Sequence, residues 1–307
     1  MPSPSPCPAG TDPVFSSNLL PASGDNLPFQ CPPLSVAKPI LEPPGRLDSR
    51  TMSRLLLAES ACAISAAFLV APFISIIDKS IFANASGREP LVRGIVSGFK
   101  SLFLHPTQFL RQMPFILVWG VYSSTYCVAN VVECLCEHRW NIDWFFPKFL
   151  AASTTNVVSS VLKDMYFTRL FASHTAQNRR VPWSSNLLYT ARDSLTIYAS
   201  FNLPSIVSQR LQLQVGVGKV TADTLSQLVT PCAVQFVSCP MHLLGMDLYN
   251  RPTGTATLIS RLNFIKREYL GTALARVGRI FPAYGIGGVA NRALRERGRK
   301  WALAVHG

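Results

Sequence analysis

The sequence predicts an all-α membrane protein of six transmembrane helices in three repeats of about 84 residues. Three observations carry this. The composition is apolar and sparsely charged, several uncharged runs are long enough to cross a bilayer, and helix-shaping residues recur at intervals of 84 and 168 positions.

Of 307 residues, 48% are hydrophobic and only 15% charged, with a mean hydropathy of +0.23. That is too apolar for an ordinary soluble enzyme. The formal charge of +13 and pI of 9.7 make the scarce charges mostly basic, which calls for an anionic partner. Anionic phospholipid and a small anionic solute fit a membrane protein. Nucleic acid fits it poorly, because there is no recognition helix with clustered Arg and Lys and no arginine-aromatic surface motif of the RNA-binding kind. The eight cysteines read as reduced thiols packed as small hydrophobes. Cys134, Cys136 and His138 lack the fourth ligand and the spacing of a structural zinc site, so neither metal nor cofactor is expected.

Residues 1–51 form a tail read as disordered: the first 50 residues hold 12 of the 23 prolines and no Lys or Arg before Lys38. It has neither the Arg-rich pattern of a transit peptide nor the apolar core of a secretory signal. The remaining 52–307 form the transmembrane domain. Leu55 to Ile77 runs 23 residues with Glu59 as its only charge, and Met113 to Val132 runs 20 with none. Each spans about 30 Å of hydrocarbon as a helix. Thr224 to Met246 is a third such run, Ser194 to Gln209 a shorter one, and Phe149 to Leu162 and Ile280 to Asn291 shorter still.

The repeat settles the count at six. Pro72 and Pro240 lie 168 residues apart, as do the Arg-x-x-Pro steps at Arg111 and Arg279. Gly120, Pro204 and Gly288 are spaced 84 and 84, and Ala191-Arg192 stands 84 before Ala275-Arg276. The units fall at about 52–139, 140–222 and 223–307. Within the first, Leu91, Val92, Ile95, Val96, Phe99, Leu102 and Phe103 recur at helical spacing among Arg88, Arg93 and Lys100. This is an amphipathic helix, lying on the membrane surface or packed across the bundle end.

Three such units, with Ala275-Arg276-Val-Gly-Arg279-Ile-Phe-Pro282 the most telling string, resemble the mitochondrial carrier family over about residues 52–300. The resemblance implies a pseudo-threefold six-helix barrel around a central cavity that opens alternately to either face. It also implies a mitochondrial membrane, the inner rather than the outer. The chain departs from the family's charge pattern. Where the family's odd helices carry an acid and a base, this sequence has Ile74 and Ile77, Val158 and Val161 after Asn156, and His242 and Gly245. The even-helix acids are replaced by Ser123 and Asn291. Displaced ions stand nearby, and at membrane depth they are expected to find partners.

Arg111, Arg192, Arg276 and Arg279, read as lying at or just inside the starts of even helices, are the candidates for contacting a solute in the cavity. No acid lies between Ala273 and Arg295 to neutralise the last two locally. Candidate gate or kink residues are Pro72, Asp78, Lys79, Lys163, Asp164, Pro240, His242 and Asp247. Val215 to Lys219 resembles a phosphate loop only superficially, since the first glycine is missing. No defensible catalytic triad exists, so an enzyme is not expected. The expected function is a divergent transporter of a small anionic solute working by alternating access. The alternative is a carrier-like scaffold that recruits partners or lipid without transporting.

Overall fold

The computed structural model describes residues 48–172, 180–216, 218–252 and 254–304. The proline-rich tail lies outside the described residues up to position 47, and the first helix opens at Ser49, inside the predicted tail. The described residues are helical and contain no strand.

The apolar run around Leu55 to Ile77 lies within α1, Ser49–Ala85, which continues through Pro72 without a break. The helix stops at Ser86-Gly87, where Gly87 takes a positive φ of 73°. After this turn α2, Leu91–Leu104, folds back on α1. Two glycines allow the approach: a Cβ on Gly98 would stand 2.6 Å from Ile76, and one on Gly94 would stand 2.9 Å from Ser80 Oγ. The opposite face leaves Val92, Val96, Phe103 and Leu104 exposed, so α2 has the amphipathic character its periodicity predicts. A short α3, Pro106–Leu110, leads into α4, Met113–Leu135, which ends in a π-helical turn, Cys136–Trp140.

The chain then forms α5, Phe145–Leu170, α6, Trp183–Val215, and α7, Lys219–Asn250. Last comes one long helical path: α8, Leu258–Phe281, a π-helical turn, Pro282–Gly288, and α9, Val289–Ala304. Successive long helices pack side by side, α1 on α4, α4 on α5, α5 on α6, α6 on α7 and α7 on α8, and α9 returns to α1. The packing is uneven, most extensive between α6 and α7 and sparse between α5 and α6.

Among the described residues three helices are long and apolar enough to cross a membrane: Ser49–Ala85, Met113–Trp140 and Thr221–Asn250. They coincide with the three strongest runs in the sequence. The 26 residues of α5, 33 of α6 and 24 of α8 supply the length but carry ionised residues that lower their hydropathy. Six spans in three equal units are therefore not what apolarity alone yields. The units also differ in form, since among the described residues no separate short helix like α2 stands between α7 and α8.

Candidate functional site

Near one end of the bundle, ionised side chains from four helices meet in a buried layer. Asp78 on α1 accepts from Lys163 Nζ on α5 at 2.6 Å through Oδ2 and from Arg279 Nη1 on α8 at 2.6 Å through Oδ1. Lys163 also pairs with its neighbour Asp164 at 2.8 Å. Asp164 in turn accepts from Arg192 Nη2 on α6 at 2.6 Å, and Arg192 bonds Asp193 at 2.9 and 2.7 Å. On α7, His242 Nδ1 lies 2.5 Å from Arg192 Nη1. A guanidinium can only donate, so this ring nitrogen accepts and the histidine adds no charge. Three carboxylates, Asp78, Asp164 and Asp193, thus match three cations, Lys163, Arg192 and Arg279.

Arg276 falls outside this balance. It is 3% exposed and donates to two neutral groups on α7, Gln235 Oε1 at 3.1 Å and Ser238 Oγ at 3.3 Å. Among the described residues no carboxylate lies within ion-pair distance of it. One buried positive charge is left without a counter-charge, a costly arrangement that an anionic group relieves.

Arg276 and Arg279 both line a cavity that opens to solvent. Tyr122, Thr125 and Tyr126 of α4, Ser153 and Asn156 of α5, Thr196 and Ser200 of α6, and Gln235 of α7 complete its polar lining. Among the described residues no carboxylate lines it. The wall therefore combines apolar side chains with neutral hydrogen-bonding groups and carries the positive charge of two arginines.

A second ionic cluster closes the far ends of α1, α4, α5 and α9. Glu59, fully buried on α1, accepts from Arg295 Nε at 2.6 Å and from Arg299 Nε. Glu133 accepts from Lys148 at 2.5 Å and pairs with Arg295 at 3.1 Å, while Glu137 pairs with Arg299 at 3.1 Å. Three acids face three bases, so this cluster is balanced. Glu59 and Asp78 are 19 positions apart on one helix, which separates the two clusters by roughly 28 Å. On α5 the cavity residues Ser153 and Asn156 fall between Lys148 of one cluster and Lys163 of the other in the chain.

The predicted site residues are thus distributed unevenly. Arg276 and Arg279 come together at the cavity, while Arg192 belongs to the charged layer. Arg111 is exposed at the end of α3, outside the cavity. The reading of Arg192, Arg276 and Arg279 as lying at helix starts is corrected, because α6 begins at Trp183 and α8 at Leu258, which puts Arg192 and Arg276 well inside their helices and Arg279 in the last turn of α8. The missing local acid near Arg279 is supplied by α1. Asp78, Lys163, Asp164 and His242 share the layer, but Lys79 turns aside to Gln112 Oε1 at 3.3 Å. Asp247 pairs with Arg251 and Arg261 at the end of α7. Pro72 and Pro240 are accommodated within α1 and α7. Asp193, Gln235 and the Glu59 cluster were not singled out as site residues. The one available signal was Glu59 itself, the lone charge in a 23-residue run.

The six described cysteines are free thiols; Cys7 and Cys31 lie outside the described residues. The glycine-rich stretch at Val215 to Lys219 is only partly described, with Gly216 ending α6 at φ 70°.

No curated protein matches the chain. The model of a family described as a probable citrulline exporter matches residues 62–299. This corrects the resemblance to the mitochondrial carrier family: repeat spacing and one Arg-x-x-Pro string are weak discriminators in an apolar helical chain. The mitochondrial location rested on that resemblance and loses its support with it. By a match that covers most of its length, the chain belongs to the probable citrulline exporter family.

Proposed function

We propose that this protein is a multi-pass membrane transporter, not an enzyme, that moves citrulline or a closely related zwitterionic amino acid by alternating access. Its cavity is the solute site, and all six long helices, α1, α4, α5, α6, α7 and the α8–α9 path, cross the membrane. The family match supports the transport role. The observation that carries the reading is Arg276: a buried cation without a counter-charge, beside the ion-paired Arg279 in a cavity wall where no described residue supplies a carboxylate, suits a solute with a carboxylate and no net charge. The anionic character expected of the solute then resides in its α-carboxylate. The buried charged layer supplies a barrier on one side of the cavity, because opening it separates ion pairs on different helices. Anionic phospholipid is the proposed lipid partner of the basic, apolar surface of α2.

Efflux of labelled citrulline from preloaded proteoliposomes tests this reading. Wild-type protein should release it faster than protein-free vesicles. Arg276→Ala combined with Arg279→Ala should reduce release to the vesicle background at unchanged incorporation. Release indistinguishable from background with wild-type protein would overturn the proposal.

A further inference from the structure

The cavity contains two carboxamides, and they are differently engaged. Gln235 is occupied at both ends: its Oε1 accepts from Arg276 Nε at 3.1 Å and its Nε2 donates to the Pro231 carbonyl at 3.2 Å. Asn156 on α5 is half-buried, and its Nδ2 makes one long bond of 3.4 Å to Thr125 Oγ1. Among the described residues its Oδ1 has no protein partner, and that oxygen is not among the buried unsatisfied atoms. Asn156 therefore presents a solvated acceptor and a weakly held donor to the cavity.

We propose that Asn156 selects the solute's side chain by pairing its carboxamide with a neutral ureido group. This rests on the reading of the cavity as a site for citrulline-like solutes. A ureido group offers a carbonyl that accepts from Nδ2 and N–H groups that donate to Oδ1, so the two planar amides are complementary. Arginine has nearly the same shape, but its guanidinium has no acceptor and brings a second positive charge beside Arg276 and Arg279. Ornithine is shorter and equally cationic. Norvaline, with an alkyl chain, leaves the amide without a partner, a defect that polar sites reject strongly. The amide at this position thus favours a ureido over an alkyl side chain, while the positive charge of Arg276 and Arg279 disfavours a cationic one.

The test compares uptake of labelled citrulline, arginine and norvaline into proteoliposomes bearing wild-type protein, Asn156→Asp or Asn156→Ala, with incorporated protein quantified in each. Wild-type protein should favour citrulline over both competitors by about tenfold or more. Asn156→Asp should invert the citrulline-to-arginine preference, because a carboxylate accepts from guanidinium and repels nothing in it. Asn156→Ala should bring citrulline and norvaline to similar rates without admitting arginine. If both variants incorporate normally and keep the wild-type preferences, the assignment of Asn156 fails while citrulline transport stands. Wild-type vesicles that take up no citrulline would overturn both. If Asn156→Asp does not incorporate, Asn156→Ala decides alone: a retained citrulline preference overturns the assignment, and its loss supports it.

Discussion

Arg279 on α8 donates to Asp78 on α1 at 2.6 Å, joining residues 201 positions apart in the chain. The other oxygen of the same carboxylate takes Lys163 from α5, so one acid holds three helices. Replacing Asp78 by Asn leaves two cations facing an uncharged amide. Breaking a buried pair in this way costs about 3–5 kcal/mol. Asp78→Asn should therefore lower the thermal unfolding temperature in detergent, and adding Lys163→Met should restore part of the loss. Equal unfolding temperatures for wild type and Asp78→Asn would show that the pair contributes no net stability.

The Glu59 cluster leads to a different expectation. It lies toward the far ends of α1 and α9 and, among the described residues, makes no ion pair with α6 or α7. Glu59→Gln should reduce stability by a similar amount, since Arg295 and Arg299 each lose a buried carboxylate. It should leave solute preference unchanged. A shift in the ratio of citrulline to arginine uptake would contradict the separation of this cluster from the cavity.

Gly245 on α7 packs against the ring of Tyr189 on α6, where an added Cβ would stand 2.6 Å from Cε1. Tyr189 is fully buried, and its hydroxyl is bound to Thr168 Oγ1 at 2.9 Å, so the ring has little room to retreat. Overpacking of this kind typically costs about 1–3 kcal/mol. Gly245→Ala should lower the unfolding temperature, whereas Gly285→Ala, with no atom within 4 Å of the added Cβ, should change it far less. Similar losses for both would mean that the α6–α7 contact is not what limits stability.

Six crossings would leave both chain ends on the same face of the membrane. Tags placed before Met1 and after Gly307 should then show the same protease protection in sealed vesicles. Protection of one tag and digestion of the other would rule out six spans.

The sequence by itself determined the helices that hydrophobicity dictates. The runs at Leu55 to Ile77, Met113 to Val132 and Thr224 to Met246 lie inside the three helices apolar enough to cross a membrane. The periodicity from Leu91 to Phe103 likewise became α2. These are local properties, set by the cost of exposing backbone and apolar side chains over one or two dozen residues. Only the tertiary structure decided which charges belong together. Lys163 meets Asp78 across 85 positions and Arg295 meets Glu59 across 236, distances at which local hydropathy carries no pairing information. Among the charges in α5, α6 and α8, Lys163, Asp164, Arg192, Asp193, Arg276 and Arg279 meet in the buried layer or at the cavity, because an ion away from water must find an opposite charge or polar groups wherever the fold supplies them. Asn156 and Arg276 acquire their prominence in the same way: only when the helices assemble does one become a carboxamide with a free acceptor and the other a buried cation without an acid.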